Sequence, residues 1–195
     1  MKKKLNDLIR KEFFEIRSLL NYRKFINNKN FIKLIDETIV TIQNGGKIFF
    51  YGNGGSASDA QHLAAELVVK YKRKRKAIPA IALSTDTSIL TAAANDFSFN
   101  KVFSRQIEAL GKENDISLAI TTSGNSKNLI EAAKIAKKKK MKTFCFSGNK
   151  GGKLKGFIKY PIIINSNNTS VIQVIEITLG QIFCNIIENS LDDPK

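Results

Sequence analysis

Two short segments rich in glycine and hydroxyl side chains have the composition of anion-binding loops. Loop 1 is Gly52–Ser58, with the sequence GNGGSAS, and loop 2 is Thr121–Ser126, with the sequence TTSGNS. Glycine lets the backbone approach a ligand closely, and the free N–H groups at the start of a following helix favour negative charge. Together the two loops predict a site for a phosphorylated small molecule.

Each loop also has a simpler explanation. The spacing Gly52-x-Gly54-x-x-Ala57 is similar to a dinucleotide-binding loop, but no acidic residue ends a second strand about 20 residues later. In loop 2, Asn125 or Ser126 could be the N-cap of a helix. The segment 148–153 is not a P-loop, because Ser147 stands where the first glycine should be.

A histidine and a carboxylate follow loop 1 at helical spacing. His62 and Glu66 are four residues apart and therefore share one face of a helix. Such a pair can ligate a metal or exchange protons with a substrate, although a purely structural histidine is the common alternative. His62 is the single histidine of the chain, so a catalytic triad or a multi-histidine metal site would depend on it.

The elements that position these residues alternate between helix and strand. Short apolar runs predict strands at 47–51, 79–83, 116–120, 143–146 and 160–164. Helices are predicted at 3–26, 31–43, 58–71, 86–94, 99–110, 126–139 and 169–190. This alternation predicts an α/β fold with a parallel sheet covered on both faces, where ligands bind at the carboxyl ends of strands. Both loops follow a strand and are expected at that edge.

Composition excludes several other classes of protein. The chain has 195 residues, about one domain, and its 43% hydrophobic content is ordinary for a soluble protein. No apolar run approaches the ~18–20 residues of a membrane span. The two cysteines are far apart in the sequence and form no disulfide framework, which is typical of a protein in a reducing cytosol. The net charge of +15 would suit nucleic acid, but no aromatic residues interleave the basic runs at 72–76 and 137–140. Both runs lie near predicted helix C-termini, where cations are favoured.

Taken together, these segments resemble the phosphoheptose isomerase branch of the SIS (sugar isomerase) domain proteins. The resemblance extends over nearly the whole chain and is most specific in YGNGGSASDAQHLAAEL and TTSGNS. It implies one SIS domain over residues 1–195, built as a three-layer sandwich around a five-stranded parallel sheet. Residues 1–44 would form N-terminal helices that pack on this domain and in the oligomer. A cytoplasmic homotetramer with active sites shared between subunits is also implied.

The resemblance further implies a reaction and the residues that perform it. Members of the family convert sedoheptulose 7-phosphate into D-glycero-D-manno-heptose 7-phosphate for the heptose of lipopolysaccharide. Glu66 matches the catalytic base, and Gln181 stands at the position of the second catalytic residue. The implied zinc ligands are His62, Glu66 and Gln173. The implied substrate-binding residues are Asn53, Gly54, Gly55, Ser56, Asn95, Asp96, Thr121, Thr122, Ser123, Ser126 and Gln173.

The last predicted helix departs from the family pattern. The family usually has RIQE-x-H there, followed by a further histidine that is both catalytic and a metal ligand. This chain reads VIQVIE over 171–176 and has Gln181 at the further histidine. Glutamine cannot titrate and is a poor zinc ligand, which weakens the implied zinc site. Glu176 lies five residues before Gln181, roughly 140° around the helix, and should not reach the same point.

Three functions therefore stay open at the level of sequence. The first is a phosphoheptose isomerase with a modified acid group. The second is a non-catalytic SIS regulator that binds a phosphosugar, resembling a replication-initiator-associating protein; Gln181 favours it and Glu66 opposes it. The third is an isomerase for another sugar phosphate. Turnover separates the first from the second, and substrate profiling separates the first from the third.

Overall fold

A parallel sheet of five strands forms the centre of the molecule. In the computed structural model, which describes residues 2–191, the strands are β1 (Ile48–Gly52), β2 (Ala80–Ala82), β3 (Ile116–Thr121), β4 (Lys142–Ser147) and β5 (Tyr160–Ile163). Their order is β2-β1-β3-β4-β5, and every neighbouring pair is parallel. The predicted parallel α/β sheet is confirmed, and the strands lie within a few residues of the predicted positions.

Helices cover both faces of this sheet. They are α1 (Lys2–Leu19), α2 (Tyr22–Ile26), α3 (Lys29–Gln43), α4 (Gly55–Val68), α5 (Thr87–Asp96), α6 (Ser104–Leu110), α7 (Lys127–Lys138) and α8 (Thr169–Ser190). Side chains alternate along β1, so that Ile48 and Phe50 pack with α3, α4 and α8 while Phe49 and Tyr51 pack with α6 and α7. The result is the three-layer sandwich that the resemblance implied.

Three of the predicted helices differ from the structure by more than two residues. The predicted helix 3–26 is two helices, because Asn21 interrupts it and its side chain caps α2 by accepting from the Arg23 N–H. The predicted helix 99–110 is a 3-10 turn at Phe99–Lys101 followed by α6. The predicted helix 58–71 begins three residues earlier, at Gly55, and ends at Val68.

The helix α8 corrects the expectation about apolar runs. By length and composition it is able to span a membrane, with a mean hydropathy of 1.6 over its best 18-residue window. Half of that window is buried inside the fold, and its carboxylates Glu176 and Glu188 face inward rather than to solvent. The apolar character of α8 therefore belongs to a core helix that packs on α3, α4 and the sheet.

The N-terminal helix α1 is hydrogen-bonded to the segment just before α8. The Ser166 hydroxyl donates to Glu15 at 2.7 Å, and the Asn168 amide donates to Glu12 and Glu15. Most of the apolar side chains of α1 remain exposed, including Leu5, Leu8, Ile9, Phe13 and Phe14. Hydrogen bonds thus join α1 to the segment before α8, and the packing of residues 1–44 on the domain and in an oligomer stays a prediction.

Candidate active site

The two loops emerge side by side from the carboxyl edge of the sheet. Gly52 at the end of β1 pairs in register with Ile120 of β3, and loop 2 begins one residue later. The chain leaves β1 toward β2 on one side and leaves β3 toward β4 on the other. The β1/β3 boundary is therefore the point where the strand order reverses, which is where open α/β sheets bind their ligands.

Loop 1 turns sharply into α4 through a glycine that no other residue replaces easily. Gly54 has φ +55° and ψ −123°, a conformation that side chains with a Cβ rarely adopt. Gly55 is glycine for a different reason. A Cβ placed there would come 2.5 Å from Nε2 of Gln173, whose amide lies over the first turn of α4. The predicted substrate residues Gly54, Gly55 and Gln173 are thus brought together.

Loop 2 has the same strand-to-helix arrangement and presents partly exposed hydroxyls. Thr122, Ser123 and Ser126 are half-buried, while the Thr121 hydroxyl is turned inward and accepts from the Gly124 N–H at 3.3 Å. Ser126 occupies the N-cap position of α7 but makes no side-chain capping bond. The N-cap explanation therefore accounts for its position and leaves its hydroxyl available to a ligand.

Asn128, which the sequence analysis missed, joins loop 1 to α7, the helix that follows loop 2. Asn53 and Asn128 exchange two amide hydrogen bonds, with Nδ2 of each donating to Oδ1 of the other at 3.0 and 2.8 Å. Asn128 is buried in the first turn of α7 and also accepts from the Leu129 N–H. Both polar ends of the Asn53 side chain are engaged, so this pair fixes the spacing of the loops. Nothing local to Asn128 in the sequence indicates its partner, 75 residues away.

His62, Glu66 and Gln181 converge into one cluster, which we call the α4–α8 cluster. Nε2 of His62 lies 3.0 Å from Oε1 of Glu66 and 2.9 Å from Nε2 of Gln181, while Gln181 and Glu66 are 3.4 Å apart. A ring nitrogen carries either a proton or a lone pair. His62 therefore donates to Glu66 in one tautomer, and in the other it accepts from the Gln181 amide. The cluster holds two groups that exchange protons and one that does not.

The donor set of this cluster is a poor fit for zinc. His62 and Glu66 are ordinary zinc ligands, but Gln181 offers a neutral amide, which is not among the usual ones. The predicted ligand Gln173 lies beside Gly55, and no hydrogen bond between described residues joins it to the cluster. Within residues 2–191, no group of three or more His, Cys, Asp or Glu side chains is arranged to hold a metal. Zinc binding stays a prediction from the resemblance.

A buried clamp holds the two helices of the α4–α8 cluster together. Glu188 of α8 is 1% exposed and accepts from the backbone N–H groups of Tyr71, Lys72 and Arg73. It also pairs with Arg75, whose guanidinium donates to the Glu66 and Leu67 carbonyls at the end of α4. Burial opposes ionisation of Glu188, but the backbone N–H donors and Arg75 outweigh it and lower its pKa.

This clamp gives Arg75, in the first basic run of the sequence, a structural role. Residues 72–76 follow α4 rather than extend it, and Arg75 binds the last carbonyls of that helix, as expected for a cation near a helix C-terminus. The second run begins in the last turn of α7, at Lys137 and Lys138, as predicted.

Three predicted site residues are held differently from the rest. The hydroxyl of Ser56 is buried and donates to Oε2 of Glu176 at 3.3 Å, so it is not turned toward the exposed face of loop 1. Asn95 and Asp96 end α5 as predicted, are exposed, and bond to each other at 2.9 Å. In the part of the chain that the structure describes, no side-chain bond joins this pair to either loop. Substrate contact by these three residues stays a prediction.

Comparison with protein families and known proteins gives one consistent result. A family model described as the SIS domain matches residues 13–148. The chain is 43% identical over 189 residues to a phosphoheptose isomerase of Thermodesulfovibrio yellowstonii, covering 96% of this chain and 93% of that protein. It is 46% identical over 184 residues to a phosphoheptose isomerase of Helicobacter pylori strain P12, covering 94% and 96%.

Solved structures of similar proteins have the same fold over almost their full length. A phosphoheptose isomerase from Francisella tularensis superimposes with a TM-score of 0.87 at 30% identity, covering 96% of this chain and 97% of that one. A phosphoheptose isomerase from Neisseria gonorrhoeae gives 0.84 at 33% identity, covering 96% and 98%.

Proposed function

Because the chain belongs to the phosphoheptose isomerases of the SIS domain family, we propose that it converts sedoheptulose 7-phosphate into D-glycero-D-manno-heptose 7-phosphate. The family membership rests on relatives that match almost end to end. The observation that supports the chemistry is the position of Glu66, a carboxylate beside an imidazole on the helix that loop 1 begins. Because these relatives are named as isomerases, they do not favour the alternative that this chain is a non-catalytic regulator.

The reaction moves hydrogen between two adjacent carbons of the sugar. A base removes the proton from C1 of the ketose, an enediol forms, and the proton returns to C2 of the aldose. One proton also moves between the oxygens on C1 and C2. General bases of this type accelerate such steps by ~10²–10⁴-fold. We assign the carbon proton to Glu66, whose side chain is 21% exposed and so is open to substrate.

His62 is the group of the α4–α8 cluster that can serve the oxygens. Its side chain is 52% exposed and contacts both Glu66 and Gln181. Gln181 has no proton to exchange, and its amide acts as a donor that orients its neighbours. The chain thus retains one imidazole and one carboxylate for the two kinds of proton transfer, although the family's further histidine is absent.

The two loops would hold the phosphate and the sugar hydroxyls. Loop 2 offers the hydroxyls of Thr122, Ser123 and Ser126 at the start of α7, where the helix dipole favours an anion. Loop 1 supplies backbone groups at Gly54 and Gly55, and Gln173 reaches over them from α8. Binding a dianionic phosphate in this way needs no lysine of the P-loop kind.

We further propose that the protein acts as a cytoplasmic homotetramer whose sites are completed between subunits, in the synthesis of lipopolysaccharide heptose. Two observations support the oligomer. The apolar side chains of Phe13 and Phe14 on α1 are 71% and 74% exposed, and Asn95 and Asp96 are not joined to the loops of their own chain. Light scattering coupled to gel filtration measures the mass directly. A monomer at micromolar concentration would contradict the proposal.

Incubation of the purified protein with sedoheptulose 7-phosphate, followed by NMR, tests the function. We expect the aldose signal to appear at a rate proportional to protein concentration. Binding without turnover, seen as a raised melting temperature in the presence of the sugar phosphate, would favour the regulatory alternative. Turnover of other ketose phosphates at higher kcat/KM would indicate a different sugar as substrate.

A further inference from the structure

The carboxyl of Glu176 is buried directly behind both loops and is not part of the α4–α8 cluster. It lies on the inner face of α8, is 1% exposed, and has one side-chain partner among the described residues, the Ser56 hydroxyl of loop 1, at 3.3 Å from Oε2. Its other oxygen, Oε1, has no hydrogen-bond partner among the described residues, and the same is true of Oδ2 of Asp59 on α4. A buried acceptor left unpaired is costly, and a buried charge left unpaired is more so.

Within residues 2–191, the groups that act on the Glu176 carboxyl include no cation. From α4 it meets the Ser56 hydroxyl and the carboxylate of Asp59, from β3 the backbone at Thr121, and from β4 the thiol of Cys145. Burial also raises the pKa of Cys145, to about 12, so that this thiol is neutral at physiological pH. The electrostatic environment of Glu176 is therefore apolar and partly negative.

These surroundings favour the protonated acid. Burial raises the pKa of Glu176 to about 8, and the charge of Asp59 adds to the shift, while Ser56 and the Thr121 backbone oppose it without cancelling it. Ser56 belongs to loop 1 and Thr121 to loop 2, so the carboxyl lies behind the place where the loops would hold a phosphate. If it ionised, a negative charge would lie behind the loops that would hold the dianion.

We propose that Glu176 is a positioning residue that must carry its proton for loops 1 and 2 to bind the phosphate group of the substrate, so that its ionisation weakens substrate binding. The identity of the substrate in this proposal rests on the proposed function. The effect on phosphate binding rests only on the presence of loops 1 and 2. Glu176 acts through Ser56 and through its charge, and it takes no part in proton transfer to the sugar.

The size of the effect follows from the population of the protonated form. When only a fraction of the protein is competent to bind, the apparent dissociation constant rises by the inverse of that fraction. With a pKa of about 8, most of Glu176 is protonated at pH 7.5 and about a tenth at pH 9. We therefore expect affinity to fall about tenfold between these values. Phosphate monoesters lose their second proton near pH 6, so the ligand itself does not titrate in this range.

The experiment measures two quantities between pH 7.5 and 9. One is the KM for sedoheptulose 7-phosphate, and the other is the Kd for methyl phosphate by titration calorimetry. In the native protein both should rise about tenfold while kcat changes much less. In Glu176→Gln both should become independent of pH. In the matched control Glu108→Gln, where an exposed surface carboxylate is changed, the native pH dependence should persist.

A second variant keeps the test informative if Glu176→Gln does not fold. Asp59→Asn removes the like charge that raises the pKa of Glu176, so the loss of affinity should move to lower pH. A role confined to structure predicts no such displacement. Affinity that is flat from pH 7.5 to 9 in the native protein, or an alkaline loss that survives in Glu176→Gln, would overturn the proposal. Because methyl phosphate binding does not require turnover, a failure of the proposed isomerase activity is seen separately.

Discussion

Nε2 of His62 lies 3.0 Å from Oε1 of Glu66, one turn further along α4, and the amide of Gln181 approaches the same nitrogen to 2.9 Å. The helix α8 thus brings a neutral donor to the place where the related enzymes are expected to have an imidazole. The two side chains that can exchange protons therefore lie on one helix, and the amide that α8 contributes cannot exchange one.

Replacing Gln181 by histidine should create a better metal site. The Gln181→His variant would combine His62, Glu66 and a second imidazole, which is a usual composition for zinc, whereas the native amide is not. We expect the variant to bind zinc at least about tenfold more tightly than the native protein in competition with a chromophoric chelator. Gln61→His, on the exposed face of α4, is the control that adds a histidine elsewhere. Equal zinc affinity in native protein and Gln181→His would contradict the assignment of Gln181 to this cluster.

A methyl group at Gly55 should disturb the site more than the fold. Its Cβ would come 2.5 Å from Nε2 of Gln173, the free end of a flexible side chain, so the amide moves while the helix start tolerates alanine. We expect Gly55→Ala to lower kcat/KM by about 10- to 100-fold, the scale of a misplaced contact, with the melting temperature nearly unchanged.

A double variant shows whether this loss acts through Gln173. If it does, Gly55→Ala combined with Gln173→Ala should be no worse than Gln173→Ala alone, because the two changes remove the same contact. Fully additive losses would mean that Gly55 acts independently of the amide.

Removal of the buried carboxylate at Glu188 should destabilise the protein strongly. It satisfies three backbone N–H groups and Arg75, so Glu188→Gln leaves a buried guanidinium without its counter-ion. Breaking one side of a buried pair costs about 3–5 kcal/mol, measurable by urea denaturation. Glu108→Gln, which changes an exposed pair with Arg105, should alter stability by less than about 0.5 kcal/mol. A similar small change in both variants would show that the clamp does not stabilise the fold.

The buried acid at Glu176 should give stability a characteristic pH dependence. Its pKa is raised from 4.5 to about 8 on folding, so the folded state binds the proton more tightly than the unfolded state does. The stability that this proton provides is fully present at a pH below the pKa of the unfolded state. It is lost as the pH rises toward the pKa of the folded state, and the free energy of unfolding falls with a limiting slope of about 1.4 kcal/mol per pH unit.

The Glu176→Gln variant lacks this titration. Its stability relative to the native protein should therefore improve steadily between pH 5 and 8 in denaturation experiments and level off above that range. A constant difference between the two proteins over this range would show that the carboxyl titrates normally.

The fold and the two loops could be predicted because local sequence specifies them. The apolar run ending at Tyr51 and the glycines after it define a strand and a turn within a few residues. The parallel order of the strands then puts loops 1 and 2 at one edge. The spacing of His62 and Glu66 was likewise sufficient to place both on one face of α4.

The remaining features depend on partners that are distant in sequence. Asn53 with Asn128, Ser56 with Glu176, and Arg75 with Glu188 are separated by 75, 120 and 113 residues. Helical periodicity shows which face of α8 is buried but not which polar group meets it, so the burial of Glu176 could not be predicted. The start of α4 was also missed, because Gly55 has a low helix propensity and the contacts that hold it there are tertiary.

Whether Glu66 is the base of a sugar-phosphate isomerase is decided by comparing the turnover of three proteins. The rate of aldose formation from sedoheptulose 7-phosphate is measured by NMR for the native protein, Glu66→Gln and Glu108→Gln. We expect native turnover, a loss of about 10²–10⁴-fold in Glu66→Gln with unchanged circular dichroism, and near-native turnover in Glu108→Gln. Turnover in a folded Glu66→Gln variant within about twofold of the native rate would show that Glu66 is not the base.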